Sequence, residues 1–367
     1  MSEAPWIIWG SELSPFTLKV IRLFRSTGRE FRFLPTEGAW LENVRCMIRI
    51  ARVKRGSLPL TVPQMTEDDE FPLVPFVLGA DGTNMYDSTA IAEWLDRERP
   101  SGQGVIPEDA GAGFVTRLID DYADEFLLYV VHHNRWVVSA RDNNAGERLA
   151  HEWRSLIGPA QPLFARGFSA RQQRRLPYLF STEATRPLLD AAFLRLLDIL
   201  ETLLAQRPFI LGTRFTLADA AIYGQLGMNL PDPSANALMV ERAPTLHRWL
   251  MRLHGANREP PAGTGTIQLD DALKPLLTEI ARTYIPLMRQ NARAHAEFQR
   301  QGFTRFNEAA FDRGEMLYDG TLDGRPFRAV AKSFQARVWK DCLARYRGIG
   351  PHEQYRVSRL APGLNFT

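Results

Sequence analysis

Within its first hundred residues the chain changes hydrophobic period repeatedly, and that order restricts the fold more than any other feature. The apolar run "WIIWG" (Trp6 to Gly10) reads as a buried strand, after which Phe16, Val20, Leu23 and Phe24 fall on one helical face. After the break "STGR", the segment "EFRFLP" alternates as a second strand. Strand, helix and strand in this order predict a parallel pair joined by a crossover helix. "LVPFVLGADGTNMYDS" then offers two short strands about a turn at Asp81-Gly82, and "STAIAEWLDRER" a helix with Ile91, Trp94 and Leu95 as its apolar positions. The result is a βαβ unit followed by ββα, an α/β layer with a mixed sheet.

The chain has 367 residues, enough for two or three domains that each bury a core. "PSGQGVIPEDAGAG" has the composition of a linker, and beyond it the periodicity is helical until about residue 316. A second break, "REPPAGTGT", opens a region read as a helix pair, a hairpin in "YDGTLDGRPFRAVA" and a closing helix from about Ser333 to Tyr346. The expected fold class is therefore α/β plus all-α. It comprises a first domain over 1–100 with a long insertion at about 38–72, an all-helical domain over 113–257 and a small α+β extension over 265–367. That extension, whose Phe334, Val338 and Leu343 are expected to face inward, has too few apolar positions for a core of its own and should dock on the helical domain.

With 45 basic against 42 acidic residues, a net charge of +3 calls for neither nucleic acid nor an anionic membrane as partner. The basic cluster "RQQRR" (Arg171 to Arg175) lacks the interleaved aromatics of a nucleic-acid surface and reads as a solvated helix face. No run reaches the roughly 18 apolar residues of a membrane span. The two cysteines, Cys46 and Cys342, stand in no metal-ligand or CxxC spacing. No metal is expected, and a reduced, cytoplasmic setting is.

Three short motifs carry candidate chemistry. Ser14 precedes Pro15 at a helix start, where unpaired N–H groups favour an anion; alone, this is a good cap. "LVPF" places Val74-Pro75 at the entry to a strand, which suits a cis bond exposing the Val74 backbone, or a plain turn. "YDSTAI" opens another helix with Asp87 and Ser88, which offer donors to a carboxylate or only a second cap. In the helical domain, Thr216 and Asp219 of "FILGTRFTLADAAIYGQL" form a capping box, a structural device. Lys19 and Arg22 could attract an anion or be surface charges. His132 and His133 point in different directions on a helix and make a poor metal pair.

In combination, the Ser-Pro-Phe helix start, the Val-Pro before ββα and the Asp-Ser helix start resemble the thioredoxin-fold domain of the glutathione transferases. Where the related glutaredoxins have Cys-Pro-x-Cys, this chain has Ser14, Pro15, Phe16 and Thr17, so it resembles the serine-type transferases most closely. "ILGTRFTLADAAIYGQL" is similar to the buried helix of the transferase second domain, and the likeness spans about residues 5 to 255. Three features depart from the family: the long stretch before Val74, Asp87 in place of the more common glutamate, and a last hundred residues without counterpart.

The resemblance implies a glutathione transferase with glutathione as co-substrate. The tripeptide's cysteine would be held by backbone bonds at Val74, beside Pro75, with its γ-glutamyl carboxylate on Ser88 and its amino group near Asp87. Its sulfur would then face Ser14, whose hydroxyl steadies the thiolate for attack on an apolar electrophile, as in detoxifying conjugation. The electrophile's pocket is expected between the domains, with Phe16, Tyr122, Phe126, Tyr129 and His133 as candidate walls. The last four, with Trp136, share one helical face, which equally suits core or a dimer seam. A homodimer is the implied assembly, and a non-catalytic binding or interaction module is the alternative.

Overall fold

The computed structural model describes residues 4–63, 74–99, 103–255, 263–304, 306, 308–364 and 366. Parts of both expected linkers and the end of the expected insertion lie outside the described residues.

The first domain runs β1 (Trp6–Trp9), α1 (Pro15–Ser26), β2 (Phe31–Leu34), α2 (Trp40–Lys54), β3 (Phe76–Leu78), β4 (Asn84–Tyr86) and α3 (Ser88–Arg97). Its sheet has the order β2-β1-β3-β4, with β1 parallel to β2 and β3 antiparallel to both β1 and β4. This is the thioredoxin-like arrangement. The two-residue period of a strand divides the sheet's faces. Ile8, Phe33, Val77 and Met85 pack with α1 and α3, while Trp9, Leu34, Phe76 and Leu78 pack with Cys46 and Ile50 of α2. The stretch expected as an insertion thus begins with a helix that covers the second face.

The helical domain begins with α4 (Ala110–Tyr122), a π turn (Ala123–Leu127), α5 (Leu128–His133) and a second π turn (Asn134–Val138), all in one continuous rod. Then follow α6 (Ala145–Glu152), α7 (Arg154–Ile157), α8 (Gln161–Arg174), α9 (Arg186–Leu204), α10 (Leu217–Gly227), α11 (Pro233–Arg242) and α12 (Pro244–His254). Every residue of α10 is buried, as a helix without a polar face requires. Asp219 accepts from the N–H groups of Ile210 and Thr216, both at 2.8 Å, and closes the capping box. α10 lies directly against α1, and only glycine fits the crossing: a Cβ on Gly224 would stand 2.6 Å from the Pro15 carbonyl oxygen.

The last region comprises α13 (Lys274–Arg282), α14 (Tyr284–Arg300), α15 (Glu308–Asp312), β5 (Leu317–Leu322), β6 (Arg325–Val330), α16 (Ser333–Gly348) and α17 (Gly350–Leu360). Leu276, Leu277, Ile280, Tyr284 and Met288 join the same core as α9 and α4, and α16 and α17 pack on α4. The hairpin turns at Asp323-Gly324, with φ of 48° and 73°, so Asp319-Gly320 lies within β5. On α16 Gln335, Trp339 and Cys342 are buried and Val338 and Leu343 pack against the core half-buried, whereas Phe334 is exposed, because its position opens onto a cavity.

Candidate active site

Where the first domain, the α4–α5 rod and the C-terminal region meet, they enclose a cavity of about 830 Å³. The first domain contributes Phe16, Val74, Pro75, Tyr86, Asp87 and Ser88. Asp121, Asp124, Glu125, Leu128 and Tyr129 come from the rod, and Phe306, Lys332, Phe334, Gln335 and Arg345 from the C-terminal region.

The Val74-Pro75 bond is cis and leads into β3. Asp87 has φ of 67° and caps α3 with one carboxylate oxygen, which accepts from Thr89 N–H at 3.0 Å and Ala90 N–H at 2.9 Å. Those donors are thereby occupied by the protein's own side chain, and burial pushes the Asp87 carboxyl's pKa up. Ser88 Oγ lies across from Asp124, 3.4 Å from Oδ2.

Asp124 and Asp120 hold Lys19 between them, with Lys19 Nζ 2.7 Å from Asp124 Oδ2. Burial disfavours the Lys19 ammonium, but the two carboxylates outweigh it and raise its pKa. Burial likewise raises Asp121 and Asp124 to about 7 and Glu125 to about 8. Asp124 Oδ1 is buried and meets no protein donor, which leaves an acceptor beside Ser88 for a ligand's ammonium. Neither Lys19 nor Arg22 is a surface charge: Arg22 is fully buried, donates to the Leu253 carbonyl at 3.2 Å and lies 5.6 Å from the Phe215 ring centre.

Ser14 caps α1, accepting from Thr17 N–H at 3.3 Å, and is half-buried. It is not among the residues lining the cavity, although Phe16, two residues on, is. The loop before it is fixed from the other side, where Leu13 packs with Trp136, Leu149 and Leu176, and Arg135 donates to the Leu13 carbonyl at 3.3 Å.

The aromatic stripe of the rod does not form one wall. A π turn inserts an extra residue and rotates every later position, so a regular helical period misplaces them. Tyr122 and Phe126 stack at 5.8 Å within the core and are fully buried. His133 is buried between Ser181 at 2.9 Å and Asp190 at 3.0 Å, and Trp136 packs on Phe168. Tyr129 alone of the five reaches the cavity. From the "RQQRR" cluster, Arg175 turns inward to the cavity wall, where Glu308 accepts from its Nε at 2.9 Å.

Residues 182–252, α9 to α12 with the loops between them, match the family described as glutathione S-transferase, C-terminal domain. Over this segment the chain is similar to the C-terminal domain of the glutathione S-transferases. Among solved structures, the chain is similar to a glutathione S-transferase of Ceriporiopsis subvermispora in complex with glutathione (15% identity, 70% of this chain, 99% of that chain, TM-score 0.45). It is also similar to the transferase GSTFuA3 of Phanerochaete chrysosporium (17% identity, 70% and 98%, TM-score 0.44) and to a glutathione S-transferase of Rhodospirillum rubrum F11 (18%, 71% and 93%, TM-score 0.41). A search of curated protein sequences returns no match. Among the described residues no helix is long and apolar enough to cross a membrane.

Asp124, Glu125, Lys332 and Gln335 went unmarked among the sequence candidates. The signal for the first two was present in "DDYADE", a run of carboxylates within an otherwise apolar helix, where buried acids need partners or a ligand. No local pattern marks Lys332 and Gln335, which reach the cavity through tertiary packing alone.

Proposed function

We propose that this protein is a glutathione transferase-like enzyme that binds glutathione along the first-domain wall of the cavity and activates its thiol for attack on a largely apolar electrophile. The observation that carries the reading is the meeting of Val74, Ser88 and Asp124 on one cavity. The tripeptide's cysteinyl backbone pairs with Val74 as an added strand. Its γ-glutamyl carboxylate takes the Ser88 hydroxyl, and its ammonium takes the open oxygen of Asp124, a role that Asp87, occupied as a cap, leaves to it. Ser14 Oγ accepts from Thr17 N–H and so keeps its own proton to donate to the sulfur, lowering the thiol pKa. Reduced cytoplasm and a homodimer are the setting and assembly that go with this reading.

A binding module without turnover is the second reading, favoured by the position of Ser14 outside the cavity lining. Retention on immobilised glutathione, followed by conjugation assays with wild type and Ser14→Ala, separates the two. The enzyme reading expects retention by both proteins and turnover lower by about 100-fold in the variant, the scale of one lost transition-state donor. Retention with equal turnover in both proteins, or with none in either, removes Ser14 from catalysis.

A further inference from the structure

α2 is apolar on two faces, and the fold uses one of them. Asn43, Cys46, Ile50 and Val53 are buried, with Cys46 and Ile50 against the sheet. At 3.6 residues per turn, Trp40, Leu41, Val44, Met47 and Ile48 share an outward arc of about 160° with Arg45 and Arg52, and Arg55 stands at the C-cap. Trp40 is 60% exposed, Leu41 52%, Met47 44% and Ile48 55%, so this second face is open in the folded chain. Large apolar side chains gathered in the open and rimmed by charge mark a surface that meets a protein or a membrane.

Charge decides between these. No acidic side chain lies in the outward arc, because Glu42, the one carboxylate of α2, turns aside to β2, where Arg32 Nη2 donates to it at 3.0 Å. Among the described residues no ion pair engages Arg45, Arg52 or Arg55. α7 lies beside α2, where Asn43 Nδ2 donates to Ser155 Oγ at 2.7 Å, and α8 follows with Leu163, Arg166 and Arg174 exposed. From Trp153 to Thr182 the chain carries no acid at all, a local bias that its net charge of +3 conceals. Two-fold contact with a second copy would set the α2 arginines against their own images, which like-charge repulsion opposes. Arginines spread along helices without a groove suit a sheet of anionic headgroups, and the boundary beneath those headgroups takes the apolar residues between them.

We propose that the outward face of α2 docks the protein on an anionic lipid bilayer. Trp40, Leu41, Met47 and Ile48 enter the boundary between headgroups and acyl chains, while Arg45, Arg52 and Arg55 meet phosphate oxygens at its surface. The helix lies flat on the membrane and stays packed on the sheet through its inner face. Arg166 and Arg174 of α8 add attraction at a distance, so the association is reversible and screened by salt.

The test is sedimentation of the full chain with vesicles of phosphatidylcholine, alone and with about one-third phosphatidylglycerol, at about 0.1 M salt. The mixed vesicles should bind about 100-fold more tightly, and the difference should vanish at about 1 M salt, where the Debye length falls to about 3 Å. Replacing Arg45, Arg52 and Arg55 together by alanine should weaken binding about 100-fold, and Leu41→Ser with Ile48→Ser about 10-fold or more. Replacing Arg248, Arg293 and Arg300, the same charge taken from other helices, should change it by less than about 3-fold. All these side chains are exposed, and thermal unfolding checks that the variants fold. Absence of binding to the mixed vesicles overturns the proposal, as does an equal loss in the control variant. Full binding by the Leu41 and Ile48 variant also overturns it, and assigns the face to an acidic protein. Self-association of the wild type in place of vesicle binding, abolished in that variant, assigns it to a second copy instead.

Discussion

Lys19 of α1 and Asp124 of the first π turn form an ion pair of 2.7 Å across the interface between the sheet domain and the helical rod. Asp120 shares the same ammonium, and Lys19 and Asp120 are each 1% exposed. Removing one partner of a buried ionic group leaves uncompensated charge, which costs more than the pair itself contributes. Lys19→Met should therefore destabilise the protein by about 3–5 kcal/mol in urea denaturation. Asp120→Asn in the same background should recover part of that loss.

Stability should fall as pH rises through neutrality. Burial, with Asp124 beside it, moves Glu125 from its ordinary 4.5 to about 8, and Asp121, Lys332 and Gln335 also face it. A carboxyl with a raised native pKa binds its proton more tightly in the folded state. Its full contribution is present below about 4.5 and is lost as pH climbs to about 8. Glu125→Gln should flatten the decline between pH 5 and 8 by about 1–3 kcal/mol, with water in the cavity screening the remainder. Urea midpoints across that range measure it, and parallel curves for wild type and variant would be the contrary result.

Asp219→Ala should cost about 2–4 kcal/mol, because three donors, Ile210 N–H, Thr216 N–H and the Thr216 hydroxyl, lose their shared acceptor inside the core. Thermal unfolding reads this directly, and glutathione retention of the folded fraction should be unchanged.

The C-terminal region should be inseparable from the rest of the fold. Leu277, fully buried, belongs to the same core as α9 and α4, so Leu277→Ala should cost about 2–5 kcal/mol. A chain ending at residue 263 exposes that core and should not fold cooperatively. A soluble, cooperatively melting product would contradict the single core.

The apolar run "WIIWG", the alternation of "EFRFLP" and the Thr216–Asp219 box were legible because each is a local consequence of side-chain pattern or cap chemistry. α2 was missed because half of it remains outward: Trp40, Leu41, Met47 and Ile48 are exposed, which blurs the amphipathic signal expected of a covering helix. The wall assignment for Tyr122, Phe126 and His133 failed for a different reason. Tyr122 and Phe126 do share a face, but that face packs in the core, and the π turn at Ala123–Leu127 shifts the register before His133. Lys332 lies 203 positions along the chain from the Tyr129 hydroxyl it touches, a separation that no local pattern bridges.

The central claim, that glutathione lies between Val74, Ser88 and Asp124, is tested most directly by titrating glutathione into wild type, Ser88→Ala and Asp124→Asn. Saturable binding to wild type below about 1 mM, weakened about 10-fold or more in each variant, is the expected result. No saturable heat from wild type at that concentration, or equal affinities in all three proteins, would contradict it.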